Sequence, residues 1–134
     1  MSRLLLQIFN VVAGLATSGL GIMQMIYGVQ SPLYAAIGIP QNPILDSNLR
    51  FFGGMSLGIG LVLLWLIPTI ERQTLLFRAV WLCAFIGGAG RLISWQVIGS
   101  PSVMLIGFSL LEVAGAPLLV YWQHRVAKSV VGPG

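Results

Sequence analysis

Arg50, Arg91 and Glu112 stand inside long apolar runs of this chain, and Asp46 precedes Arg50 by four residues, about one helical turn. Arginine stays charged at any physiological pH and offers five N–H donors in a planar fork. It can pair with a carboxylate, or hold an anionic or carbonyl-bearing guest through parallel hydrogen bonds. Glu112 supplies a carboxylate for such a pair and could also serve as a general acid or base. No nucleophile, metal-ligand set or cofactor motif accompanies it, so no enzyme is expected. The single Cys83 excludes an intrachain disulfide and dithiol redox chemistry. The single His124 excludes a haem held by two histidines of one chain, and with one cysteine it leaves no His/Cys metal set. Neither metal nor cofactor is expected.

The elements that carry these groups are membrane spans. Only 7% of the residues are charged, against about a quarter in soluble domains, and the mean hydropathy is +0.93. A lipid core about 30 Å thick needs roughly 20 apolar residues per helical crossing. Four such runs fit, over about 4–27, 48–67, 75–98 and 103–123. They are uniformly apolar rather than alternating in short segments, which favours helices over barrel strands. The fold class expected is therefore all-α: a four-transmembrane-helix antiparallel bundle forming a single integral membrane domain over 1–134. The first run continues past a cleavage-like Gly14-Leu15-Ala16 to Tyr27, so it is expected to be retained as a span. In the first loop, Ser31-Pro32 reads as a helix start and Gly38 as a stop. A short interfacial helix over 32–37 would act as a lid or as a lipid-facing plug. The tail from His124 onward is expected to fray.

Basic residues set the orientation. Arg3, Arg72, Arg78, Arg125 and Lys128 fall on one side and only Arg50 borders the other, so both termini are expected in the cytoplasm and the chain in the bacterial inner membrane. The net charge of +4 is carried by a few residues scattered beside apolar runs, which makes nucleic acid an unexpected partner.

Small residues mark where helices touch in lipid. The stripes run through Gly14, Thr17/Ser18, Gly21, Gln24 and Gly28; Arg50, Gly54 and Gly58; Cys83, Gly87, Gly90/Arg91 and Ser94; and Ser109, Glu112 and Gly115/Ala116. At about 1.5 Å per residue, Arg91 lies on the order of 12 Å inside the outer end of its span and Glu112 about 15 Å inside. Their depths match, and an uncompensated charge there costs several kcal/mol or more, so the two are expected to form a buried salt bridge. Pro117 should kink the fourth helix just below Glu112 by freeing the carbonyl of Val113. Trp65, Trp81, Trp95 and Trp122 read as interfacial anchors. Gln24, Asp46, Asn48, Arg50, Arg91, Ser94 and Glu112 make up the expected polar cluster, with Asp46 as its movable member. It serves either as a structural clasp or as a ligand site open to the outer face.

Asp46-x-Asn48-x-Arg50-Phe51-x-Gly53-Gly54, then Gly87-Gly88-x-Gly90-Arg91-Leu92-x-Ser94, then Glu112 ahead of Pro117, resemble a bacterial family of small four-helix membrane proteins that is catalogued as a domain of unknown function. The resemblance spans most of the chain. It implies a four-span fold and carries no activity with it. A looser similarity, in size and span number, is to the DoxX-like membrane proteins, some of which accompany oxidoreductases. Two functions follow as expectations. One is a non-enzymatic accessory, assembly or interaction module whose partners are the lipid bilayer and a larger membrane complex or further copies of itself. The other is a small transporter or carrier that binds an anionic or amphipathic small molecule at the Arg/Glu cluster.

Overall fold

The computed structural model describes residues 2–132. Every regular element among them is helical, and four helices are long and apolar enough to cross a membrane: Arg3–Gln30, Pro43–Trp65, Thr74–Ile98 and Val103–Val130. By packing, the chain falls into two compact units. One is Ile8–Ile67; the other joins Met1–Gln7 to Pro68–Gly134.

The first unit is a hairpin of α1 (Arg3–Tyr27, from Ile8 onward) and α2 (Pro43–Trp65). Single turns of 3-10 helix at Gly28–Gln30 and Pro32–Tyr34 begin the connection. Ser31 caps the second of them, its Oγ accepting from the Leu33 N–H at 3.4 Å. The helix expected over 32–37 is thus a single tight turn, followed by Gly38 at φ 63°. α2 starts at Pro43 rather than near Asn48. The Asn42 side chain accepts from the N–H groups of Ile44 and Leu45 at 2.9 and 3.2 Å, and proline is pre-set for the first helical position. The Asn-Pro pair is a helix start, not loop punctuation.

Gly14, Ser18, Gly21 and Gln24 are the buried stripe of α1, as their spacing predicts. On α2 the buried stripe is Gly53, Gly60 and Leu63, not Gly54 and Gly58. A Cβ on Gly21 would lie 2.6 Å from the Gly53 carbonyl oxygen, and one on Gly53 2.8 Å from that of Gly21. Gly58 faces open space. Positions four apart drift around a helix, whereas positions seven apart return to nearly the same face; contact therefore follows the seven-residue step. Asn10, buried, clasps the hairpin by donating to the Leu63 carbonyl at 2.6 Å.

The second unit holds α3 (Thr74–Ile98), α4 (Val103–Leu110), a π-helical turn at Leu111–Gly115 and α5 (Ala116–Val131). Pro117 has no N–H for the Val113 carbonyl, and the helix widens by one turn at this point rather than breaking. Phe77, Val80, Trp81 and Gly88 form the buried side of α3. On the returning helix it is Ser109, Ala116, Leu119, Gln123 and Val126. The stripe expected on α3 is therefore corrected: Cys83, Gly87, Gly90 and Ser94 are exposed. Trp81 is also not interfacial, being 5% exposed with its ring 6.2 Å from that of Phe77. Gln123 ties the far end, its Nε2 donating to the Ile70 carbonyl at 2.9 Å and to Thr74 Oγ1 at 3.0 Å. The tail expected to fray stays helical through His124, Arg125 and Lys128 to Val131, and ends at Gly132 with φ 76°. Pro133 and Gly134 lie outside the described residues.

A valine at Gly21 or Gly53 should destabilise the detergent-solubilised protein by about 1–3 kcal/mol, since it overpacks a backbone contact. Gly58→Val should change stability by less than about 0.5 kcal/mol. Denaturant or thermal unfolding compares the three directly.

Candidate functional site

Three arginines organise the polar groups, each with a carboxylate. In the first unit, Arg50 Nε donates to Asp46 Oδ2 at 2.7 Å, along one helix face. Its Nη1 donates to the carbonyl oxygens of Met25 and Ile26 at 2.7 and 2.8 Å. These carbonyls lie in the last turn of α1, which lacks helical partners and is normally satisfied by a cap. Arg50 is that cap. The other oxygen of Asp46 accepts from the Val29 N–H at 3.0 Å, so the residue expected to be movable is held from two sides. Gly28, at φ 53°, makes the fit: a Cβ there would collide with Asp46 Oδ1. Gln24, buried, donates to the Gly28 carbonyl at 3.3 Å.

A cleft of about 330 Å³ opens beside this network, lined by Val29, Gln30, Gln41, Asn42, Pro43, Asp46 and Arg50. Arg50 Nη2 is not engaged by any described residue, and the Arg50 side chain is 44% exposed. The cleft thus offers a forked cation and side-chain amides to a polar guest.

In the second unit, Arg91 and Glu112 meet as their matched depths predict: Arg91 Nε donates to Glu112 Oε2 at 3.1 Å. α3 and the π-helical turn approach closely at Gly88, where a Cβ would stand 2.7 Å from that of Glu112. The expected burial is corrected. The side chains of Arg91 and Glu112 are 44% and 26% exposed, because the buried side of α3 is centred on Phe77, Trp81 and Gly88 and Arg91 stands at its edge. Asn48 and Ser94, also expected in the cluster, are exposed and make no side-chain hydrogen bond among the described residues.

The buried ion pair lies elsewhere. Arg3 donates from Nε to Glu71 Oε2 at 2.9 Å and from Nη2 to Glu71 Oε1 at 3.3 Å and the Pro68 carbonyl at 3.0 Å. Glu71 is 8% exposed. Sequence reasoning reads Arg3 as a basic residue that marks a membrane face and gives Glu71 no role. The available signal was their level: the start of the first span and the turn after the second lie on one side of a four-span chain. Among the described residues, no three of His, Cys, Asp and Glu come together as a metal would require.

Four helices long and apolar enough to cross a membrane define an all-α integral membrane protein. Residues 5–123 match the family described as a domain of unknown function, DUF4345, and the chain belongs to that family. No curated protein and no solved structure matches it.

The hydrogen bonds from Arg3 hold the Glu71 carboxyl below the ordinary glutamate range. A carboxylate lowered in the folded state stabilises fully above its unfolded pKa, and that stabilisation is lost as pH falls through the folded value. Stability of the wild type should therefore fall as pH drops below about 4.3, and Glu71→Gln should flatten this dependence in an acid titration of unfolding. Arg91→Met or Glu112→Leu alone should cost about 1–2 kcal/mol. The double replacement Arg91→Met/Glu112→Leu should cost less than the sum, because neither charge is left alone. A double-mutant cycle in unfolding free energy reads this coupling.

Proposed function

We propose that this chain is a non-enzymatic interaction module of the bacterial cytoplasmic membrane, an accessory or assembly subunit with both termini on the cytoplasmic side. One observation carries the reading: a charged, small-residue surface of α3 is left open within a helix long and apolar enough to cross a membrane. Arg91 engages one of its five donors, and the neighbouring Gly87 and Gly90 have open space where a side chain would be. In lipid, bare glycines let a second helix approach, and polar groups on a span act as glue between helices. Elsewhere polar side chains tie each hairpin to itself: Asn10 and Gln123 donate to backbone carbonyls, and Arg3 joins Glu71. Asp46, Glu71 and Glu112 each accept from an arginine. The basic excess at the Arg3, Arg72, Arg78, Arg125 and Lys128 ends supports the orientation.

The Arg50 cleft favours a second reading, a small carrier whose anionic or carbonyl-bearing guest takes the free Nη2 donors. Affinity purification in mild detergent, followed by mass spectrometry of proteins and small molecules, separates the two. The interaction module should bring down a protein partner, or itself, in fixed stoichiometry, lost on Gly87→Leu/Gly90→Leu. A retained small molecule that disappears on Gln30→Ala/Gln41→Ala would favour the carrier instead.

A further inference from the structure

We propose that two copies of this chain associate about a two-fold axis along the membrane normal, through the α3 face that bears Gly87, Gly90 and Arg91. Arg91 of each copy donates to Glu112 of the other. This deepens the interaction-module reading and rests on it.

The inference starts from unmet hydrogen bonding. Arg91 stands seven residues before the end of α3 at Ile98, about 10 Å along the helix. Its Nε donates to Glu112 Oε2, and among the described residues neither Nη1 nor Nη2 has an acceptor. Glu112 Oε1 has no donor there either. Both side chains are partly exposed, and lipid supplies no partner for them. Charged groups in a span face other protein or a water-filled cavity for this reason.

The surface beside them is shaped for a helix. Cys83, Gly87 and Arg91 follow one another at four-residue steps, with Gly90 and Ser94 alongside, and the four small residues of this set are all exposed. A Cβ at Gly87 or Gly90 would meet nothing within 4 Å. Within their unit these glycines serve no packing, which uses Gly88 instead. Such a surface admits a partner backbone at close range.

Charge complementarity identifies the partner. The unmet capacity has both signs, guanidinium donors and a carboxylate oxygen, on one surface of one chain. A two-fold interface places residue i against j and j against i, so it matches such a surface with itself. Depth agrees: Arg91 and Glu112 already meet within one copy, so they lie at one level. Copies inserted the same way and related by rotation about the membrane normal keep that level. The closed dimer holds two arginines and two glutamates, with no net charge left in the apolar layer.

The test is an orthogonal pairing experiment on the full chain in lipid vesicles, with donor and acceptor fluorophores on separate preparations. Wild type should show energy transfer with wild type. The exchanged variant Arg91→Glu/Glu112→Arg keeps the internal pair and the reciprocal contacts, so it should pair with itself. Mixed with wild type it sets arginine against arginine and glutamate against glutamate, and association should weaken at least about tenfold. Gly87→Leu/Gly90→Leu, whose added side chains meet nothing within 4 Å at the Cβ, should abolish transfer while the chain keeps its helical circular dichroism and elutes as a folded monomer; it also decides the matter should the exchanged variant fail to fold. A wild type that stays monomeric, free mixing of exchanged and wild-type chains, or unaltered transfer in the leucine variant would overturn the dimer. Co-purification of a monomeric wild type with a different protein in fixed stoichiometry would sink the dimer and keep the interaction module. Absence of any partner, self or other, would sink both.

Discussion

A guanidinium group within a lipid-embedded helix cannot shed its charge and carries five N–H donors that lipid cannot satisfy. The arrangement of this chain follows from where its arginines find acceptors. Arg50 finds a carboxylate one turn behind it and two carbonyls at the end of α1, the backbone groups that a helix end leaves without partners. One side chain thereby closes a helix terminus, fixes the start of the loop and neutralises Asp46. The positive φ of Gly28 belongs to the same device, because the carboxylate occupies the space a side chain would need. Arg3 does comparable work at the opposite end, joining the first turn of α1 to the Pro68–Glu71 turn.

The π-helical turn at Leu111–Gly115 is a second consequence of a missing partner. Proline at 117 withdraws the N–H that the Val113 carbonyl would accept, and a wider turn takes up the difference. Glu112 sits in that turn and opposite Gly88, where α3 has no side chain to hold it away. Proline and glycine, far apart in sequence, together bring the carboxylate within reach of Arg91.

The arginines nevertheless end in different states. Arg50 engages three acceptors and borders a polar cleft at the loop end of its hairpin, whereas Arg91 engages one acceptor on an open helix surface. The first geometry is that of a cap with spare donors, and the second leaves four of the five guanidinium donors without an acceptor among the described residues. This difference, rather than the presence of intramembrane charge as such, is what the proposed contact with another helix rests on.

Hydropathy and spacing alone determine that the chain is all-α with four spans, that Asp46 and Arg50 share a helix face, and that Arg91 and Glu112 pair. These follow from quantities linear in sequence: the length of an apolar run, the repeat of a helix, the depth of a residue from the end of its span. Only the tertiary structure decided how each helix is turned about its own axis. Glycines are frequent enough to mark more than one face of α2 and α3, so composition does not say whether Gly53 or Gly54, Gly88 or Gly87, meets the neighbour. Steric fit between two backbones makes that choice, and with it the exposure of Arg91 and the burial of Trp81. Arg3 with Glu71, and Arg50 with the carbonyls of Met25 and Ile26, were illegible for a related reason. Carbonyls are present at every residue, so no residue type announces those that Arg50 caps, and Arg3 and Glu71 share a level with other charges, so level alone does not pair them.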